Sequence, residues 1–192
     1  MADLTTTTYV KAHLGITVTT YDTLFAQLIA GLSAFVEKYT ERTFANTDYT
    51  ERLDGPGHYE LFLTHYPVNS VATVKRNDGQ VGNPSWSTVE SQYYVLYAEA
   101  GYLYRELGFV TGHQNWQVAY SAGYGDDPAD MPLDLQLAMA NLVGYLYKQR
   151  TQQGVKGFRT GTFAVTYQDA AVAMEQLPAV KATLESYKRR NV

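Results

Sequence analysis

The residues best placed for chemistry are Ser121, the carboxylates just behind it, and the histidines. Ser121 stands in Ala119-Tyr120-Ser121-Ala122-Gly123, one residue short of the G-x-S-x-G turn that lifts a nucleophilic serine between a strand and a helix. Ala119 replaces the first glycine of that turn, and all four histidines, His13, His58, His65 and His113, precede the serine. The chain order serine, acid, histidine is therefore closed, and no spacing supports another triad order. A small serine hydrolase stays open as an alternative that an esterase screen would detect.

Three further groups have metal- or phosphate-binding chemistry in principle. His58-Tyr59-Glu60 matches half of a zinc deaminase signature, whose other half needs cysteines, and the chain has none. Asp126, Asp127 and Asp130 lack the alternate spacing and distant glutamate of a calcium loop, and they suit helix capping and solvation. Gly154-Val-Lys-Gly-Phe-Arg-Thr-Gly-Thr162 places Arg159 where a P-loop needs Gly-Lys, so a loop is expected over 154–161. No catalytic, cofactor-binding or metal-binding set assembles from these residues. Lys148, Arg150, Lys156, Arg159, Lys188, Arg189 and Arg190 fit either a docking face for an acidic partner or solvated helix ends.

With 192 residues, the chain is long enough for one sizeable core. No apolar run approaches the ~20 residues that span a bilayer. The N-terminus has neither the basic nor the apolar region of a signal peptide, so no membrane association is expected. A net charge of −4 offers no attraction to nucleic-acid phosphates. The 17 tyrosines suit strand positions, where aromatic residues are favoured, and equally suit protein interfaces. Trp86, Trp116 and the tyrosines also leave room for a carbohydrate-binding module, which glycan binding would reveal.

The elements that must position these groups follow from periodicity. Threonine and glycine bracket a short helix at Tyr9 to Leu14, ended by Gly15. Apolar residues at three- and four-residue steps, among them Phe25, Leu28, Ile29, Leu32 and Val36, predict a second, longer helix within TTYDTLFAQLIAGLSAFVEKYTERTF, with Asp22 near its start and Lys38 near its end. Alternation then takes over. YTERL, DGPG and YELFL read as a hairpin, SVATVKR as a strand ending at Asn77-Asp78-Gly79, YYVLY and YLYREL as strands flanking AEAG, and WQVAYSAGY as the last. After Pro132 a third helix carries Leu135, Met139, Leu142 and Leu146 on one stripe. TFAVTYQD alternates like a strand or hairpin arm, and Leu177 to Arg190 reads as a terminal helix. The expected fold class is α+β, one domain in which N- and C-terminal helices form a small helical core around an inserted antiparallel sheet or small barrel. Its parts are helical 1–47, β 48–121, a core helix over 129–153, and a hairpin and helix over 154–192. The core residues expected are Leu28, Leu32, Val36, Leu135, Met139, Leu142 and Leu146.

Four segments taken together carry a resemblance: VKAHLGI at 10–16, LIAGLSAFVEKYTERTF at 28–44, YSAGYGDDPADMPLDLQLAMANLVGYLYKQR at 120–150, and TFAVTYQD with the terminal helix. In this order they resemble the head-tail connector (adaptor) family of tailed bacteriophages, and the likeness spans most of the chain. The resemblance implies a structural virion protein of the neck, assembled in the bacterial cytoplasm, with no catalytic activity and no cofactor. It implies a homo-oligomeric ring of twelve subunits under the portal protein, a tail-side stopper or tail-completion partner, and a channel through which genomic DNA passes without sequence-specific binding. It also places the portal grip on the C-terminal helix, here Leu177, Val180, Leu184, Tyr187, Lys188, Arg189 and Arg190. Another neck or tail-completion protein is the alternative within the same class. The long β region departs from the shorter, mostly helical members.

Overall fold

Thr6 opens the first helix by accepting the Tyr9 N–H on its hydroxyl at 3.0 Å, and Gly15 closes it in the left-handed region at φ 68°. This is α1, Thr7–Leu14. The computed structural model describes residues 2–80, 82–149, 158–160, 163–165 and 176–189. The chain divides into two units, one of residues 1–44 with 126–191 and the other of residues 45–125.

The first unit is helical. It contains α1, α2 (Asp22–Thr40), α3 (Leu133–Gln149) and α4 (Pro178–Ser186), together with a short antiparallel pair, β8 (Phe158–Thr160) and β9 (Phe163–Val165). The segment expected as a loop over 154–161 thus contains a strand, because β9, within the alternating TFAVTYQD stretch, supplies a pairing partner that lies outside the loop's own sequence. Helix α3 packs against the other three helices. Its buried residues Leu135, Ala138, Met139, Leu142 and Val143 follow the 3.6-residue period, so one continuous stripe faces the core. A Cβ on Gly144 would stand 2.7 Å from Leu14 Cδ2, which is how α1 approaches α3 so closely. Of the expected core residues, Leu32, Val36, Leu135, Met139 and Leu142 are buried, while Leu28 and Leu146 lie half-buried at the stripe's margin.

The second unit is antiparallel β. One sheet has the order β1-β7-β3-β4, with β1 Thr47–Gly55, β7 Gly112–Ala122, β3 Val68–Asn77 and β4 Trp86–Val89. The other has the order β2-β6-β5, with β2 Glu60–Phe62, β6 Tyr102–Tyr104 and β5 Val95–Tyr97. Neither sheet closes into a barrel among the described residues. Trp116, Val118, Tyr120 and Ala122 alternate inward along β7 and join Leu61, Leu103 and Phe109 in one apolar cluster. Phe109 meets the fully buried Trp116 edge-on, with ring centroids 4.8 Å apart.

One strand expectation is corrected, and one strand, β4, was not expected. YTERL and YELFL do not pair with each other: β1 pairs with β7 and β2 with β6. The connecting Gly55-Pro-Gly57 is held elsewhere, Gly55 N–H donating to Asn115 Oδ1 at 2.8 Å and Gly57 N–H to the Phe109 carbonyl at 2.9 Å. Pro56 has no N–H with which to continue a hairpin ladder. The strand β4 carries no strong apolar alternation. It forms because Asn77 Oδ1 accepts the N–H groups of Gly79 and Ser85, each at 2.9 Å, and turns the chain back on β3. The hairpin across Ala98-Glu-Ala-Gly101 is as expected, with Tyr97 opposite Tyr102.

Candidate assembly surfaces

Ser121 lies within β7, opposite Asp48 on one side and Ser70 on the other. Its hydroxyl is 3.0 Å from Ser70 Oγ. A mid-sheet serine bonded to a second serine has neither the strained elbow nor the adjacent base that acyl transfer needs. The turn after it is structural. Gly123 adopts φ 128°, and a Cβ there would come within 2.3 Å of the Ala45 carbonyl oxygen. Asp127 accepts the Ala129 N–H at 2.8 Å, capping a short turn before Pro132 and α3.

The histidines are dispersed. His13 Nε2 is 3.0 Å from Asn141 Oδ1 in the helical unit. His58 is exposed in the turn before β2, and His113 forms an exposed pair with Asp54 at 3.0 Å. The Gln114 N–H, more than His113, holds the Asp54 carboxyl below its ordinary range. His65 belongs to a group that local sequence does not flag. Its ring stacks on Tyr49 at 3.8 Å, its Nε2 lies 3.4 Å from Glu51 Oε1, and its backbone N–H donates to the Tyr120 hydroxyl at 3.1 Å. Burial pushes the Tyr120 phenol far above its usual range and keeps it neutral. These side chains bind β1, the turn after β2 and β7 to one another. Among the described residues, no group of three or more His, Asp or Glu is arranged to hold a metal.

The C-terminal helix requires a correction. Val180 and Leu184, expected at an interface, are buried at 4% and 0% exposure in contact with the unit's own helices, because the amphipathic face of α4 completes the core against α2 and α3. Tyr187 is half-buried and donates its hydroxyl to Asp134 at 2.7 Å. Lys188 Nζ sits 4.4 Å from the centre of the Tyr39 ring, and the Arg189 N–H donates to the Thr40 carbonyl at 2.9 Å. Leu177 is half-buried, and the side chains of Lys188 and Arg189 are exposed. Lys148 is also exposed, the backbone of Arg159 pairs with Ala164 in the short hairpin, and Arg150, Lys156 and Arg190 lie outside the described residues.

Exposed apolar surface gathers instead on the three-stranded sheet. Leu61 and Leu103 point into the core. The alternate positions Phe62, Tyr97, Tyr102 and Tyr104 share the other face, with Tyr97 and Tyr102 stacked at 4.6 Å and Phe62 at 5.3 Å from Tyr102. Tyr59, Val95 and Tyr97 are about half exposed, and Leu107 is 77% exposed. In the helical unit Leu133 at 72% and Leu137 at 42% stand out from α3. The tyrosines therefore serve both expectations, Tyr120 filling the core and others lining an open face.

The chain combines two well-formed cores with a large exposed aromatic face, the anatomy of a protein that makes contacts. Its sequence matches the head completion protein family over residues 3–190, and the chain belongs to that family. A comparison with curated proteins finds no match. Among solved structures, a chain in the neck of an empty gene transfer agent particle, computed with C6 symmetry, is similar at TM-score 0.54 and 16% identity, over 89% of this chain and 80% of that one. A chain in the neck of the native particle, computed with C12 symmetry, aligns at TM-score 0.55 and 16% identity, covering 96% and 88%. A chain of the native gene transfer agent virion aligns at 0.55 and 17%, covering 96% and 89%. The family agrees with the connector resemblance of the sequence, and the structural likeness extends over both units as a shared fold.

Proposed function

We propose that this protein is a head-tail connector that forms a ring in the virion neck, beneath the portal, and joins the DNA-filled head to the tail. Family membership together with the open aromatic sheet face carries this reading: the fold is spent on presenting contact surface, and a ring subunit needs such surface on two sides. The twelve-fold symmetry used for one neck relative fits a ring of twelve. The protein has no enzymatic role in this reading. Ser121 is a sheet residue, Asp127 caps a turn, and His13, His65 and His113 each contact a polar side chain of their own unit.

The whole net negative charge resides in residues 45–125, where carboxylates outnumber basic side chains, and the remainder of the chain is balanced. A channel with a neutral or acidic wall lets DNA slide without adhering, so the basic side chains are assigned to protein partners. For the portal grip the available residues are Leu177, Tyr187, Lys188 and Arg189, with Arg190 beyond them. A tail-side stopper or tail-completion protein meets the other end of the ring.

The test is genetic. Particles lacking this protein are expected to accumulate as DNA-containing heads without tails, visible by electron microscopy, and expression in trans restores joining. Tailed, infectious particles formed in its absence would refute the role. Heads that are empty from the start would instead point to a packaging function.

A further inference from the structure

Arg105 is a cation with no counter-charge among the described residues. It follows β6, and its guanidinium lies 5.5 Å from the centroid of the fully buried Trp116 ring. Nη1 donates to the Gly108 carbonyl at 2.9 Å, while the buried Nε–H has no acceptor. No carboxylate among the described residues pairs with it. It lines an open cleft of about 230 Å³ with Arg76, Ser87, Thr88, Glu90 and Tyr93. Arg76 is already neutralised there by Asp78 at 2.5 Å, which Ser87 also hydrogen-bonds, and Glu90 stays beyond ion-pairing distance of Arg105. Tyr93 on the cleft lining is 52% exposed, and Leu107, two residues beyond Arg105 in the chain, is 77% exposed. A part-buried arginine on an open cleft with an exposed tyrosine on its lining has the anatomy of an interface anchor, and a carboxylate is the group that satisfies its fork.

The same sequence presents the matching surface. On α3, Leu133 and Leu137 are exposed on either side of the exposed Asp134, with Asp130 just before the helix. Asp134 accepts one hydrogen bond, from Tyr187, which leaves acceptor capacity for a guanidinium. We propose that the Arg105 cleft of one copy receives the start of α3 of the next copy, Asp134 or Asp130 meeting the guanidinium while Leu133 and Leu137 cover Tyr93 and Leu107. The inference rests on the ring reading above and specifies its subunit contact. A closed ring requires two different, complementary patches on each subunit, and these two differ and complement each other in both charge and apolarity.

The chain has no cysteine, so engineered thiols report the contact without background. Full-length Leu107→Cys and Leu133→Cys proteins carrying different tags are mixed and oxidised mildly. The mixed disulfide is expected to form at least about tenfold faster than either homodimer, a ratio equivalent to one decade of local affinity. In sedimentation, Arg105→Glu or Asp134→Lys should each weaken self-association by at least about tenfold, and mixing the two variants should recover it. Leu107→Asp, at a site 77% exposed in the single copy, weakens association with the circular dichroism spectrum unchanged. Rings that form with no preference for the mixed disulfide would overturn this contact and leave the ring reading standing. A chain that stays monomeric at every concentration, with no mixed cross-link, would overturn both.

Discussion

The two units spend their apolar residues differently. In the helical unit the stripe on α3 is consumed by α1, α2 and α4, and even the C-terminal helix turns Val180 and Leu184 inward. The β unit buries one face of its three-stranded sheet and leaves Phe62, Tyr97, Tyr102 and Tyr104 together on the other. The helical unit is thus organised mainly to hold its own shape, leaving Leu133 and Leu137 exposed at the start of α3, and the β unit to hold shape on one side while offering a broad aromatic face on the other. The difference teaches that helix amphipathicity in this chain reports self-burial, whereas the second face of the small sheet reports a partner.

Breaking the helical core should have the largest effect. Leu142 is fully buried on α3, so Leu142→Asp places an unpaired charge among apolar side chains at a cost above about 4 kcal/mol. Soluble folded protein is expected to disappear, as read by soluble yield and circular dichroism. A folded, soluble variant would mean that the helical unit is not the self-sufficient core described here.

In the β unit, Trp116→Ala empties the centre of the cluster and is expected to cost about 3–5 kcal/mol in denaturant unfolding. Hydrogen exchange should rise first in β1, β3 and β7 and leave α3 protected. Equal loss of protection in both units would show that the two cores unfold as one.

A smaller loss is expected at the corner. Gly123→Ala must accept φ 128° and an approach of 2.3 Å to the Ala45 carbonyl oxygen, at a cost of about 1–3 kcal/mol, measured as a lower midpoint with unchanged slope. Ser121→Ala, by contrast, removes one exposed hydroxyl contact with Ser70 and should stay within about 0.5 kcal/mol of the parent, with full assembly activity. Loss of infectivity from a well-folded Ser121→Ala protein would restore the hydrolase alternative.

The smallest effect is electrostatic. Burial raises the Glu37 pKa despite the Phe44 N–H donating to its carboxylate at 3.3 Å. A carboxyl with a folded pKa above its unfolded value favours the folded state when protonated and disfavours it once ionised. Glu37→Gln keeps the acceptor and removes the charge. It should raise the melting temperature slightly near neutral pH, and the gain should vanish as pH falls below both pKa values, near about pH 4. A gain that grows with acidity would contradict the burial argument.

The helices were legible because Leu32, Val36, Leu135, Met139 and Leu142 repeat at the helical period and Thr6 and Gly15 mark their cap positions. Leu28 and Leu146 satisfy the same arithmetic but stand at the margin, where period alone does not measure depth. The pairing of β1 with β7 was not legible, since Asp54-Gly-Pro-Gly57 has the composition of a hairpin turn while its N–H groups are claimed by Phe109 and Asn115, more than fifty residues on. The strand β4 has too few apolar residues to announce itself and exists through its partner β3. Arg105 had no sequence signal at all: its significance lies in Trp116 beneath it and in the carboxylate that no described residue brings to it, both products of the fold.

The central claim is that this chain is a connector subunit, and native mass spectrometry of the protein mixed with the portal encoded in the same genome tests it most directly. The account predicts a discrete complex with one copy of this chain per portal subunit, weakened when Lys188 and Arg189 are both changed to Glu. Two well-folded partners that form no complex under these conditions would contradict it.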